Sequence, residues 1–310
     1  MTRQEHWYSG PTLPSRKTDA RSLTLGLGGK WHGRYGAAPC PVCQPDRRRD
    51  QDALTLADAP GRRLLAHCKK GGCSFRDLAA ALGLTAATFT KPDPMETAKR
   101  EAERRAEAAK KAAQAEAIWR EAGPISGTLA ETYLRRRGIT CALPETLRFQ
   151  ADCWHGATAR CLPALVARVE GCDLFAVHRT YLRPDGRGKA EVEPPKAMLG
   201  AVIGGAVRLT RGGGPLLVAE GIETALSLAS GLWQGPAQVW AALSTSGLRG
   251  LCLPAQPGIL VVASDGDDPG RAAAHGLAER ASAMGWAVSL LPALQGFDWN
   301  DVLTGKAVLA

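Results

Sequence analysis

Two short apolar runs near the C-terminal end of the sequence have the pattern of buried parallel strands. Leu216–Ala219 and Ile259–Ala263 consist of consecutive apolar residues, end next to carboxylates, and precede Ala-rich stretches that favour helices. In α/β sheets built this way, ligands gather at the carboxyl ends of the strands. We therefore predict an α/β domain with a mainly parallel sheet over residues 213–310, with a ligand site among the carboxylates.

The segments that precede this domain have different patterns of apolar and polar residues. Residues 125–212 combine a short helical stretch with extended runs such as 175–182, which predicts a mixed α+β subdomain. A segment of Ala, Glu, Lys and Arg without Gly or Pro predicts an exposed connecting helix. The sequence thus indicates a multi-domain α/β protein with four segments: residues 1–94, the connecting helix 95–122, the mixed subdomain 123–212 and the C-terminal domain 213–310.

Charge is distributed unevenly between these segments. The chain carries 39 Lys and Arg against 30 Asp and Glu, but residues 213–310 contain eight acidic and only four basic residues. The whole positive excess therefore precedes residue 213, where it favours a polyanionic partner such as nucleic acid. Because no run of eighteen apolar residues occurs and the N-terminus is polar, we expect no membrane span, no secretory signal and a cytoplasmic location.

Four cysteines have the spacing of a zinc site. Cys40-Pro-Val-Cys43 is followed, after 24 residues, by Cys68-Lys-Lys-Gly-Gly-Cys73. Each pair offers two thiolates on a turn, and two such pairs complete a tetrahedral Zn²⁺ site. Strand-like segments between the pairs predict a zinc ribbon. Because the gap in the second pair is wider than usual, His67 is an alternative to Cys68 as a ligand.

Basic and aromatic residues are interleaved around this predicted ribbon. Trp31, Arg34 and Tyr35 precede the first cysteine pair, and three consecutive arginines at 47–49 follow it. Positive charges contact phosphates and aromatic faces stack on unpaired bases, so the pattern favours binding of single-stranded nucleic acid. A plain solvated basic surface is the alternative.

Seven of the eight carboxylates after residue 213 fall into three clusters. The clusters are Glu220-Gly-Ile-Glu223, Asp265-Gly-Asp267-Asp268 and Asp298-Trp-Asn-Asp301. Hard divalent cations such as Mg²⁺ bind carboxylate oxygens and keep waters that reach phosphates. The clusters therefore favour a metal site for phosphoryl transfer.

The order of these motifs resembles the Toprim domain shared by bacterial-type primases, topoisomerases and some nucleases. The similar segments are 218–225, 262–271 and 297–302. With the cysteine pairs ahead of them, nearly the whole chain is similar to bacterial, phage or plasmid primases that carry a zinc-ribbon domain. The resemblance implies a DNA primase, a nucleotidyltransferase that makes short RNA primers on single-stranded DNA, in phage, plasmid or other mobile-element replication.

The resemblance implies that Zn²⁺ is a structural metal. It also implies roles for single residues. The expected ligands of a catalytic Mg²⁺ or Mn²⁺ are the carboxylates of Glu220, Asp265, Asp267, Asp298 and Asp301. The first three are also the expected catalytic residues, with Glu220 either a ligand through water or a general base. Asn300 departs from the second acidic pair of bacterial primases, and the role of Glu223 is open.

The basic middle segment resembles the subdomain of primases that holds template and incoming nucleotide. Arg179, Lys189 and Lys196 are its expected phosphate contacts, and Arg271 is a further candidate beside the second acidic cluster. The expected partners are a single-stranded DNA template, NTPs and a separate replicative helicase, because no G-x4-G-K-[ST] motif occurs. A membrane partner is not expected.

Two rival functions are consistent with the same motifs. The first is another Toprim phosphotransfer enzyme, such as a nuclease. The second is a non-catalytic zinc-ribbon protein that binds single strands or recruits replication factors.

Overall fold

The structure is a computed structural model, and the residues that it describes are 19–46, 48, 51–59, 63–84 and 94–306. Contacts within the chain divide it into two units, Met1–Ala98 and Lys99–Ala310, and each is described by itself. Across the described ranges, none of the helices combines the length and the apolar composition that crossing a lipid bilayer requires.

The N-terminal unit is a four-stranded antiparallel sheet with two short helices. In their order across the sheet the strands are β1 (Lys30–Trp31), β2 (Gly36–Ala38), β3 (Leu54–Ala59) and β4 (Arg63–Cys68). The helices are α1 (Ala20–Gly26) and α2 (Phe75–Ala81). Leu23 and Leu78 from the helices pack with Leu54 and Leu56 of β3, so this unit has a hydrophobic core of its own.

A long helix leads into the second unit. Helix α3 (Pro94–Glu121) begins with a proline, which the first turn of a helix tolerates because its backbone N–H is not needed there. Most of its side chains are exposed, but Ala115 and Trp119 are buried in its last turns. The Arg148 guanidinium lies 4.2 Å from the centre of the Trp119 ring. The end of the connecting helix is therefore packed against the sheet that follows it.

That sheet is an antiparallel meander. Its strands, in chain and spatial order, are β5 (Gly123–Pro124), β6 (Leu147–His155), β7 (Arg160–Val169), β8 (Ala176–Tyr181) and β9 (Lys196–Gly200). Helix α4 (Leu129–Arg136) lies between β5 and β6 in the chain. All six residues of β8 are buried, because one face of the sheet packs on α3 and the other contributes to a second core.

The C-terminal sheet is mainly parallel. Its strands, in spatial order, are β10 (Val207–Arg208), β12 (Gln238–Ala241), β11 (Leu216–Ala219), β13 (Ile259–Ala263) and β14 (Ala287–Leu290). The helices are α5 (Ile222–Ser227), α6 (Thr245–Gly250), α7 (Asp268–Ala283) and α8 (Trp299–Leu303). Only β10 is antiparallel to its neighbour. The predicted α/β class, with a mainly parallel C-terminal sheet, is confirmed.

The two sheets of the second unit share one core. Leu147 and Leu165 of the meander pack in the same cluster as Leu217, Ala219 and the other apolar residues of the parallel sheet. Burying this surface jointly stabilises the contact between the sheets. The strand ends of the parallel sheet and the cationic residues of the meander consequently lie within one packed body.

Candidate metal centres

The four predicted zinc ligands come together in the N-terminal unit. The sulfur atoms of Cys40, Cys43, Cys68 and Cys73 all lie within 4.8 Å of one another. The Cys40 and Cys73 sulfurs are 3.9 Å apart and those of Cys43 and Cys68 are 3.5 Å apart. Tetrahedral Zn²⁺ with Zn–S bonds of about 2.3 Å places sulfurs about 3.8 Å apart. The cysteine cluster therefore fits a structural zinc ion.

The turn at the second cysteine pair supports this geometry. The Gly71 N–H donates to the Cys68 sulfur at 3.3 Å, and a side chain at Gly71 would collide with Cys43. Burial alone would raise the pKa of Cys68, but backbone N–H donors, led by Gly71, lower it to about 6. The wider gap of the second pair thus supplies N–H groups that favour the thiolate, which is the form that binds metal.

Cys68, and not the alternative His67, lies with the other three cysteine sulfurs. Adjacent residues of a strand point to opposite faces, so His67 and Cys68 of β4 cannot both face the cluster. Cys68 is buried with the other sulfurs, whereas His67 is exposed.

The aromatic and basic residues predicted to bind nucleic acid lie beside β1 and β2. Arg34 and Tyr35 are exposed, Trp31 is half-buried in the core of the unit, and the Tyr35 ring stacks on that of His32 with centroids 5.1 Å apart. Arg47 and Arg49 lie outside the described residues. The binding of single strands here stays a prediction.

Four carboxylates meet at the carboxyl ends of the parallel strands. Glu220 directly follows β11 and Asp265 lies just beyond β13, and these two strands are neighbours with Ala219 opposite Ala263. Strands paired in parallel end at the same edge of a sheet, so their following residues are brought side by side. We call Glu220, Asp265, Asp267 and Asp298 the acidic cluster.

Gly266 brings the last member of the acidic cluster close to the others. Its N–H donates to the Phe297 carbonyl at 2.8 Å, and a side chain at this position would collide with the Leu294 carbonyl. Only glycine allows this approach of two backbone segments. As a result Asp265 and Asp267 lie against the segment that leads to Asp298.

The acidic cluster is electrostatically crowded. Burial, followed by the charges of Glu220, Asp298 and Asp267, raises the pKa of Asp265 to about 7. Burial and Asp267 likewise raise the pKa of Glu220, and Lys196 and the Thr245 N–H at the start of α6 partly oppose this rise. A divalent cation would relieve this repulsion.

The carboxylates of the acidic cluster are less closely grouped than the four cysteine sulfurs. In the described part of the chain, the cysteines are the one group of three or more potential ligands whose donor atoms all lie within 4.8 Å of each other. The acidic cluster is more open than that. Mg²⁺ in phosphoryl-transfer sites keeps several waters and uses few protein carboxylates, so the residues of the acidic cluster fit this ion.

Asp301 makes other contacts. Asp298 and Asp301 form a reciprocal capping box at the start of α8, and the Lys306 ammonium lies 3.1 Å from the Asp301 carboxylate. We therefore do not include Asp301 in the proposed metal site.

Asn300 is turned away from the acidic cluster. It is 2% exposed, and its amide donates to the Arg137 carbonyl at 2.7 Å and to the Ser227 hydroxyl at 3.0 Å. Its carbonyl oxygen accepts from the Arg137 guanidinium at 2.7 Å. Asn300 thus ties α8 to α4 and α5 and does not stand in for a missing acidic ligand.

Two of the predicted phosphate contacts lie next to this site. Lys189 and Lys196, which we call the lysine pair, both face the carboxylate of Glu223 in the first turn of α5. Lys196 is also close enough to Glu220 to oppose the rise in the pKa of that residue. The structure therefore brings cations from the meander to the edge of the acidic cluster.

The other two predicted phosphate contacts have different positions. Arg179 is 9% exposed, and its guanidinium donates to the Trp154 carbonyl at 3.2 Å. A buried guanidinium with this bond supports β8 and β6, and we do not propose it as a phosphate contact. Arg271, in the first turn of α7, is half-buried and donates to the Ala293 carbonyl at 3.4 Å.

Two parts of the chain match sequence models of known families. Residues 215–307 match the sequence model of a family described as Toprim domain. The C-terminal part of the chain is a Toprim domain. Residues 109–209 match a domain of unknown function, DUF7146. A comparison with curated protein sequences gives no match.

Several solved structures are similar to the chain that carries this Toprim domain. A DNA primase domain from Pseudomonas aeruginosa is 16% identical with a TM-score of 0.39, over 63% of this chain and 75% of that one. The Aquifex aeolicus primase, with zinc binding and RNA polymerase domains, is 13% identical with a TM-score of 0.37, over 94% and 80%. The primase fragment of the bacteriophage T7 primase-helicase protein is 12% identical with a TM-score of 0.30, over 87% and 94%.

The cysteine cluster predicts bound zinc. Protein purified without chelator is expected to carry one zinc ion per chain, and Cys40→Ser is expected to lose it because three ligands hold the ion less tightly. Cys161→Ser, at an exposed cysteine far from the cluster in the sequence, is the matched control and keeps full zinc content. Metal analysis with equal zinc in Cys40→Ser would contradict the assignment.

The crowded carboxylates of the Toprim domain predict a pH-dependent response to Mg²⁺. The pKa of an Asp in an unfolded chain is about 4, whereas burial and neighbouring charges raise the pKa of folded Asp265 to about 7. Without metal, stability therefore falls as pH rises through this interval, because the unfolded state releases the proton first. Added Mg²⁺ is expected to raise the melting temperature more at about pH 8 than at about pH 5.5. Equal shifts at both pH values, or an undiminished shift in Asp265→Asn, would refute this.

The contacts of Asn300 predict the effect of restoring an acidic residue there. Asn300→Asp is expected to lose about 1 to 3 kcal/mol of unfolding free energy, since a carboxylate cannot donate to the Arg137 carbonyl and the Ser227 hydroxyl. Urea denaturation measures the loss. Unchanged stability combined with tighter Mg²⁺ binding would instead place position 300 in the metal site.

Proposed function

We propose that this protein is a DNA primase that synthesises short RNA primers on a single-stranded DNA template. The observation that carries the proposal is the acidic cluster at the strand ends of the Toprim domain, with the lysine pair at its edge. Nucleotidyl transfer requires carboxylates that hold a cation and, beside them, ammonium groups that bind phosphates.

In the proposed reaction a 3′-hydroxyl oxygen attacks the α-phosphorus of an incoming NTP. A new P–O bond forms, the bond to the bridging oxygen of the leaving group breaks, and pyrophosphate departs. Glu220 would accept the hydroxyl proton as a general base, a role that its raised pKa favours. The lysine pair would hold the negative charge of the triphosphate during this step.

Asp265, Asp267 and Asp298 would hold Mg²⁺ or Mn²⁺, and the alternative role of Glu220 is that of a ligand through water. When bound, the ion would neutralise charge on the phosphate oxygens. Asp267 has a second task, because its side chain accepts the Gly270 N–H at 2.7 Å and caps α7. The carboxylate and the helix start are thereby held in one orientation.

The template would lie on the basic segments that precede the Toprim domain, including the zinc-binding unit with Arg34 and Tyr35. Their positive charge supports this assignment. A role in mobile-element replication with a separate helicase belongs to the same proposal.

Two substitutions test the proposal. Asp265→Asn and Asp267→Asn are each expected to abolish primer synthesis while zinc content and template binding stay near wild type, because each removes a charge that a hard cation needs. Asn is also a good helix cap, so Asp267→Asn keeps the start of α7. The assay contains template, labelled NTPs and Mg²⁺.

Asp268→Asn is the matched control for these variants. Asp268 is exposed and directly follows Asp267, but it is not among the largest causes of the raised pKa of Asp265. It is expected to make primers at the wild-type rate. Wild-type rates in Asp265→Asn and Asp267→Asn would overturn the metal-site assignment and favour the non-catalytic binding protein.

A further inference from the structure

Glu223 is a buried carboxylate at the junction of the meander and the Toprim domain. It lies in the first turn of α5, three residues after Glu220, and is 4% exposed. The Tyr133 hydroxyl donates to one carboxylate oxygen at 2.7 Å. The ammonium groups of Lys189 and Lys196 lie 3.6 and 3.0 Å from its two oxygens. One carboxylate from the Toprim domain thus gathers three side chains of the preceding subdomain.

The charge of Glu223 is maintained by these contacts. Burial would raise its pKa, but Lys196, Lys189 and the Tyr133 hydroxyl hold the pKa well below its usual range. A buried ion pair adds little to stability compared with a well-packed apolar pair. The stability of the fold therefore does not by itself explain why this carboxylate is placed here.

The lysine pair keeps positive charge available on its open side. Two ammonium groups face one carboxylate, and the side chains of Lys189 and Lys196 are still 31% and 34% exposed. Arg137 adds a further positive charge close to Lys189. The network therefore carries a net positive charge beside the acidic cluster, which suits a compact anion that also contacts the bound cation.

Unpaired polar groups surround the same network. Thr180 lies opposite Lys196 in the β8–β9 pairing, and His178 lies two residues away on the same face of the sheet. The His178 Nδ1 and the Thr180 hydroxyl are buried without a hydrogen-bond partner among the described residues. Burial and the charge of Lys196 lower the pKa of His178 to about 3, so this residue adds no charge at neutral pH.

We propose that Glu223 is a positioning residue that holds Lys189 and Lys196 at the edge of the acidic cluster, where they bind the triphosphate of the incoming nucleotide. This inference rests on the proposed function. Without Glu223 the two lysines and Arg137 repel one another at partly buried positions, and burial already lowers the pKa of Lys189. The lysines would then turn towards solvent or lose a proton, and the site would lose its cations.

The test compares full-length variants in binding inorganic triphosphate with Mg²⁺, measured by calorimetry, and in primer synthesis. Glu223→Gln keeps the size of the side chain but removes its charge, and is expected to weaken triphosphate binding and kcat/KM for NTP at least about tenfold. Glu279→Gln, the same change at an exposed position on α7, is the matched control and is expected to bind as wild type does.

A combined variant separates positioning from an independent role. If Glu223 acts through the lysine pair, adding Glu223→Gln to a variant that carries both Lys189→Met and Lys196→Met weakens triphosphate binding no further. Losses that multiply would overturn the inference. Unchanged or tighter triphosphate binding in Glu223→Gln would also overturn the inference, because Glu223 would then compete with phosphate for the two lysines.

Two further outcomes keep the test decisive. If Glu223→Gln fails to fold, Tyr133→Phe replaces it in the test. That variant keeps the Glu223 carboxylate but removes the hydrogen bond that it accepts from Tyr133. Unchanged triphosphate affinity in Tyr133→Phe would then overturn the inference. A wild-type protein that makes no primers overturns the proposed function. A wild-type protein that makes primers while Glu223→Gln binds triphosphate normally overturns only the role of Glu223.

Discussion

Repulsion within the acidic cluster is the constraint on which the rest of the second unit depends. Asp265 is partly buried next to Glu220, Asp298 and Asp267, and burial together with these three charges raises its pKa to about 7. Parallel pairing of β11 with β13 and the close approach at Gly266 hold the carboxylates together nonetheless. A bound cation would relieve this repulsion, and for this reason we propose a metal site at the acidic cluster.

The antiparallel meander supplies the positive charge that complements the acidic cluster. Its strands share a core with the Toprim domain, and Lys196 of β9 forms an ion pair with Glu223 of α5 and opposes the rise in the pKa of Glu220. Acidic residues thus come from the ends of parallel strands and cations from an antiparallel sheet. A phosphate chain with its bound metal ion is the ligand that such a division of charge fits.

Local patterns in the sequence were sufficient to predict the parallel strands, the carboxylates that follow them and the cysteine pairs, because each of these depends on residues close together in the chain. Contacts between distant elements were not predictable in this way. Asn300 bonds to Arg137, and Arg179 turns into the sheet, although both have the sequence context of surface or site residues. Nor does any local signal show that Tyr133 would meet Glu223, 90 residues away.

Manganese located by anomalous X-ray scattering tests the central claim most directly. Crystals of the full chain soaked with Mn²⁺ and a non-hydrolysable NTP are expected to show manganese bound by carboxylates of the acidic cluster, with the triphosphate against Lys189 and Lys196. The zinc signal at the four cysteines serves as an internal control. Manganese and triphosphate bound elsewhere, with zinc in place and the acidic cluster empty, would contradict the account.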